Sequence, residues 1–323
     1  MPNYQGVWSL STQFQNASGW PLPPLGGDIG VISGPLAIEY LRLTTSGTGV
    51  DFGDLSQSRT YAASHGSSTR GLHAGGGTGL GTVYYDTIDY IEFDFPGNAT
   101  DFGDLSTGRY GLAGSGNSTR AIFAGGSNPY NSSKNIMDYV TIASTGNASD
   151  FGDLTLARSY LAPMESTTRC VFAGGNNAGG SGSSSFYNTM DYVTTASVGN
   201  ATDFGDLGAR QSGHNGCSSS TRGIVFTGFV DDSYMTSQVY YITIASTGNS
   251  TNFGTLSSAW RGYATCSNKI YGYRVCGQDP NTARTSVDYI TIASTGNGTD
   301  WGDMPTTHNW ALGGCSNSGG GIA

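Results

Sequence analysis

The sequence predicts an all-β chain folded as a six-bladed propeller with four-stranded antiparallel blades. Three observations predict it. The pentapeptide DFGDL stands at 51–55, 101–105, 150–154 and 203–207, with looser copies NFGTL at 252–256 and DWGDM at 300–304, so it recurs six times at steps of 50, 49, 53, 49 and 48. That period lies in the range of propeller blades. Each interval holds four short segments rich in β-branched, aromatic or small residues, and none has helical periodicity.

Within a unit the elements follow one order. After the pentapeptide comes a polar linker that ends in a basic residue: Arg59, Arg109, Arg158 and Arg210. A small-residue stretch such as RYGLAG suits a strand packed tightly against neighbours. The second strand is an apolar run opened by Arg and closed by a glycine pair, as in STRGLHAGG at 68–76, STRAIFAGG at 118–126 and TTRCVFAGG at 167–175. A loop of variable length leads to the third strand, TIDYIEF, IMDYVTI or TMDYVTT, whose residues favour a pleated, half-buried surface. A Gly-Asn turn then enters the pentapeptide as the fourth strand.

Counting predicts how the ring closes. The blades fall at about 56–105, 106–154, 155–207, 208–256 and 257–304, and a sixth is stitched from 305–323 plus 25–55, because an open array would leave sheet edges bare. NSGGGIA at 317–323 aligns with NSTRAIF at 117–123, and Gly26 and Gly27 stand before Tyr40 as Gly125 and Gly126 stand before Tyr139. The break is therefore expected inside the second strand of that blade.

Composition excludes several functions. Glycine numbers 51 without collagen periodicity, so glycines mark tight turns. The net charge is -9 and the only lysines are Lys134 and Lys269, which leaves no basic stripe for nucleic acid. No apolar run is long enough for a membrane helix, and the first residues lack a secretory pattern. Five cysteines without CxxC spacing read as buried thiols, and Cys217, Cys266 and Cys315 occupy similar places in successive blades. Eight N-x-S/T sequons, among them Asn98, Asn147, Asn200, Asn249 and Asn297, read as turn chemistry.

The order of basic residue, apolar strand with Gly-Gly, Tyr, and an aromatic followed by Leu or Met resembles the kelch repeat. DWGDMP at 300–305 comes nearest, whereas Phe52, Phe102, Phe151, Phe204 and Phe253 stand where that family keeps Trp. Residues 1–24 lie outside the repeat as an N-terminal arm carrying Trp8, Phe14 and Trp20. The stretch GVWSLSTQFQNASGWP at 6–21 is similar to N-terminal segments of tailed-phage virion proteins, and ASTGNASDFGDL at 143–154 resembles repeats in propeller-like proteins of marine phages. The resemblance implies a non-enzymatic component of a phage tail or capsid surface, located in the virion. It also implies an arm that docks to other virion proteins and a role in attachment to a host glycan or protein. The alternatives are a carbohydrate-binding propeller and, behind it, a glycan-cleaving enzyme.

No chemistry breaks the symmetry in the manner of an enzyme. His65, His73, His214 and His308 are dispersed, no HExxH or GxSxG occurs, and Glu39, Glu92 and Glu165 are the only glutamates. No catalytic residue, metal or cofactor is expected. Calcium is not expected at DFGD either, because NFGTL loses both carboxylates and keeps its frame. The pentapeptide reads as a structural corner whose aspartates cap turn amides or meet Arg70, Arg120, Arg169 and Arg222. Recognition is expected in the variable loops, where Tyr85, Tyr130, Tyr187 and Tyr234 sit among Ser, Asn and Gly on one face of the ring.

Overall fold

The structure is a computed structural model. It describes residues 24–78, 83–128, 132–178, 185–213, 215–230, 234–279, 282–308 and 313–321. The arm residues Trp8, Phe14 and Trp20, and the loop residue Tyr130, lie outside the described residues.

Six antiparallel sheets, each with four main strands, stand around an axis. Blade 1 is Ala63–Gly66, Arg70–Ala74, Thr87–Glu92 and Thr100–Asp104 from the inside out. Blades 2 to 5 repeat the pattern, and their innermost strands are Ala113–Gly116, Ala162–Glu165, Asn215–Ser218 and Ala264–Ser267. Blade 6 takes its innermost strand, Gly313–Ser316, from the far end of the chain and its other three, Ile29–Ser33, Ala37–Arg42 and Val50–Asp54, from the near end. Val31 pairs with Cys315, and the innermost strands of blades 6 and 1 adjoin, so the ring is closed.

The break differs from its sequence expectation. It falls between the innermost and second strands rather than inside the second, which is the buried run IGVIS. Gly26 and Gly27 are not the glycine pair of this blade. A tight hairpin, with the Gly34 amide donating to the Ala37 carbonyl, replaces the variable loop, and this shortening shifts any spacing measured from the glycines.

The pentapeptide is a bulged outermost strand. Met137 faces Gly152 and the next residue, Asp138, faces Asp150, so Phe151 is an extra residue between them. The same shift recurs at the same place in all six blades. The extra Phe turns inward: Phe151 is 1% exposed and meets the Tyr139 ring edge-on, with centroids 5.8 Å apart. Glycine follows at positive φ, +144° at Gly103 and +134° at Gly152. There the Gly-Asn turn of the next blade docks. Phe102 accepts from the Gly146 amide at 2.7 Å, and the Asp104 amide donates to Asn147 Oδ1 at 3.1 Å. A Cβ on Gly103 would lie 2.5 Å from the Gly146 backbone.

The apolar core follows the same logic. Each of its six clusters combines residues of two neighbouring blades, as where Leu72, Ile88 and Phe102 of blade 1 meet Leu112, Phe123 and Ile142 of blade 2. Each fully buried side chain of this size contributes about 1.5–3 kcal/mol.

The aspartates of the pentapeptide do not meet the arginines that open the second strands. Asp51, Asp54, Asp101 and Asp150 are exposed, and Arg70, Arg120, Arg169 and Arg222 instead stack 4.4–4.8 Å above Tyr90, Tyr139, Tyr192 and Tyr241. Their guanidinium groups donate to carbonyls of the next blade, for example Arg120 to Thr195 at 2.8 Å. The buried ion pairs join linker arginines to third-strand aspartates: Arg59–Asp89, Arg109–Asp138 and Arg158–Asp191, each at 2.8 Å. In blade 5 the pair is Arg274–Asp288, with Trp260 in the linker slot, and at the ring closure His308 meets Glu39 at 3.0 Å. In the linker that leads into blade 4 the buried slot belongs to Gln211, not to Arg210, which is exposed.

Candidate functional site

Linkers end where the chain turns into an innermost strand, and in the five blades where this turn is described it uses a left-handed backbone. Gly111 (φ 63°), Gly213 (64°) and Gly262 (59°) hold it in three blades, but Tyr61 (59°) and Tyr160 (57°) hold it in two others. A non-glycine residue there carries strain, and such strain persists where the surroundings enforce it. The Gly111 amide donates to the Tyr61 carbonyl at 2.9 Å, and the Tyr160 amide to the Gly111 carbonyl at 2.6 Å. That backbone ladder across three blades is what enforces it.

The ladder gathers the rings. Tyr61 and Tyr160 meet edge-on with centroids 5.5 Å apart, and Tyr110 lies 6.0 Å from each. Tyr84 joins at 5.3 Å from Tyr110. The result is an aromatic wall on one side of the channel mouth. On the other side Gly213 and Gly262 leave space beside Phe229, over which the Arg261 guanidinium stacks at 4.8 Å.

Behind the wall a cavity of about 360 Å³ runs down the axis. Its sides are the small-residue innermost strands. Their spacing is close: a Cβ on Gly216 would clash with the Pro163 carbonyl, and hydroxyls stitch strand to strand, with Thr265 donating to Gly216 at 2.6 Å and Ser267 to Ser218 at 2.9 Å. The far end is covered by 317–321. The Gly321 carbonyl accepts from the Ser118 amide at 3.1 Å, and Gly320 and Gly321 lie against Glu165.

Burial shifts the titratable groups of this cavity toward their neutral forms. Glu165, where the cavity meets the tail, accepts from Ser115 Oγ at 3.3 Å, and burial raises its carboxyl to about 7. Burial lowers the imidazole of His65 to about 4, and raises the thiol of Cys266 to about 12 and that of Cys217 well above its ordinary value. The Tyr263 hydroxyl donates to the carbonyls of Phe226 and Thr227 and is pushed up by burial. Among the described residues no group of three or more His, Cys, Asp or Glu is placed to hold a metal ion.

Cys217, Cys266 and Cys315 sit in successive innermost strands, each against a second-strand glycine of the next blade: Gly272, Gly30 and Gly71. They are packing residues, one to each of three neighbouring blades.

Of the loop tyrosines of the sequence reading, Tyr85, Tyr187 and Tyr234 stand apart from the cavity. Tyr85 and Tyr187 are half-buried at the base of their loops, where their amides donate to Gly76 and Gly175 at 2.8 Å. Tyr234 is 59% exposed. The described parts of the loops lie on the face of the mouth, because bridges link Thr60 to Gly77 and Gly77 to Tyr84. Tyr61 and Tyr160 escaped sequence reasoning. The available signal was a column of Tyr and Gly, visible only when the linkers are aligned with Gln211 and Trp260 in register with Arg59, Arg109 and Arg158. No model of a known protein family matches the chain, and neither does a curated protein.

Proposed function

We propose that the protein is a non-catalytic recognition propeller of a tailed-phage particle, with the loop face turned toward its target and residues 1–24 docking to other virion proteins. One observation supports recognition above all: the near-sixfold pattern that governs the strands and turns is abandoned at the mouth, where two tyrosines replace glycine at strained positions. Rigid elements hold this face, as binding loops require. The particle assignment is supported by the resemblance of 6–21 and of the repeat to phage virion sequences. A free-standing carbohydrate-binding propeller is the second reading, favoured by the neutral axial cavity.

The test uses the full chain and a form lacking residues 1–24. Both are expected to unfold at the same temperature and to adsorb to susceptible host cells, and only the full chain is expected to be incorporated into particles. Incorporation of the shortened form would remove the docking role from the arm. Turnover of any glycoside that a single substitution abolishes would overturn the non-catalytic reading.

A further inference from the structure

Resting on the recognition reading, we infer that the axial cavity behind Tyr61 and Tyr160 binds the terminal neutral sugar unit of a glycan. Four features define the ligand. The first is size: about 360 Å³ lies near the small end of ligand pockets, roughly 300–1,000 Å³, and takes one ring-sized unit rather than a run of peptide. The second is the blind end. Residues 317–321 close the cavity beyond Glu165, so a chain enters only by its tip.

The third is charge. Among the described residues no Lys, Arg or Asp lines the cavity, His65 is neutral, and Glu165 stands alone at the far end. Arg261 stacks over Phe229 at the mouth, but deeper in the cavity a phosphate or sialic acid carboxylate would find no counter-ion, and burying it unpaired is costly. The fourth is the pairing of surfaces. The aromatic wall offers a flat apolar face to the C–H side of a pyranose, while Asn176, Ser212, Asn215 and Thr265 set polar groups around the same space.

The tyrosines account for themselves in this arrangement. Glycine serves the same turn in three blades, so the backbone alone does not call for Tyr61 and Tyr160. Their rings supply the wall.

The experiment is saturation-transfer NMR of the full chain with methyl glycosides of neutral hexoses and N-acetylhexosamines, and with sialic acid as the acidic comparison. Tyr61→Gly, Tyr160→Gly and Tyr234→Ala are measured in parallel. At least one neutral glycoside is expected to receive saturation. Each mouth variant is expected to weaken its affinity at least tenfold while still unfolding cooperatively, since glycine accepts that backbone without strain. Tyr234→Ala is expected to bind as wild type. As a readout independent of variants, ring signals of ¹³C-labelled tyrosine in the wild-type protein are expected to shift on titration.

No transfer from any neutral glycoside, or stronger transfer from sialic acid, overturns the inference. So does undiminished binding in both mouth variants. Loss in Tyr234→Ala alone places recognition on the outer loops, which overturns the cavity while leaving the recognition reading intact. Failure of host-cell adsorption by the full chain strikes that reading instead.

Discussion

Arg109 and Asp138 are both fully buried, and their guanidinium and carboxylate meet at 2.8 Å while Arg109 also donates to the carbonyls of Gly125, Ile136 and Phe123. Removing one partner of such a pair costs about 3–5 kcal/mol, because the other charge is left in the interior. The linker arginines were legible in the sequence, but their partners were not. Two sets of aspartates share one period, so periodicity cannot say which set faces the arginine. The bulge decides it by exposing the pentapeptide carboxylates and turning the third-strand aspartate inward. At the cavity floor, Glu165 yields a prediction of definite sign. Its folded carboxyl keeps a proton up to about 7, whereas an unfolded one releases it near the ordinary value of 4.5. The folded state therefore binds more protons between these values, and this contribution to stability is full below 4.5 and lost as pH rises through 7. Glu165→Gln should abolish that loss, so its thermal midpoint should gain on wild type as pH is raised from 4.5 to 7.5. His65, lowered to about 4, contributes the opposite slope, losing stability as pH falls below 6.5, and does so in both proteins. A difference between the two midpoints that stays constant with pH would contradict the assignment.

The pentapeptide is the element through which blades hold one another. Its frame survives in NFGTL because the frame consists of a bulged aromatic, a glycine under the neighbouring turn and a buried Leu; none of these needs a carboxylate. The sequon asparagines of the Gly-Asn turns belong to the same lock, since their side chains accept from backbone amides: Asn98 from Asp54 at 3.0 Å, Asn200 from Asp153 at 3.0 Å and Asn249 from Asp206 at 3.0 Å. Sequence reasoning recognised a structural corner, but not that the partner of each of the first five corners lies about 45 residues ahead in the next blade, while the sixth docks on Gly47–Gly49. Gly103→Ala tests the lock. With φ at +144° and the Gly146 backbone 2.5 Å from the new Cβ, it should lower the free energy of urea unfolding by more than about 1 kcal/mol. Gly97→Ala, where a Cβ meets nothing within 4 Å, should cost less. Equal costs would mean that the close approach does not hold the blades.

Across the whole molecule, the blade count and the joining of the two ends were readable because spacing reports register directly. The position of the break was not, since blade 6 replaces its loop with a three-residue turn, and the cavity was not, since it arises from six strands brought together by closure. Deleting residues 313–323 removes the innermost strand of blade 6 and bares the Ile29–Ser33 edge. The expected result is a thermal midpoint several degrees lower and concentration-dependent association through that edge. A monomer with an unchanged midpoint would show that closure contributes little.

The pairing of Val31 with Cys315 also imposes an order in time. Residues 29–54 leave the ribosome early but cannot complete their sheet until Gly313–Ser316 is made, so they wait with one open edge while five other blades are synthesised. For most of its synthesis the nascent protein offers a strand to any stray β-segment, and this is the period in which a chaperone or a neighbouring nascent chain could decide its fate.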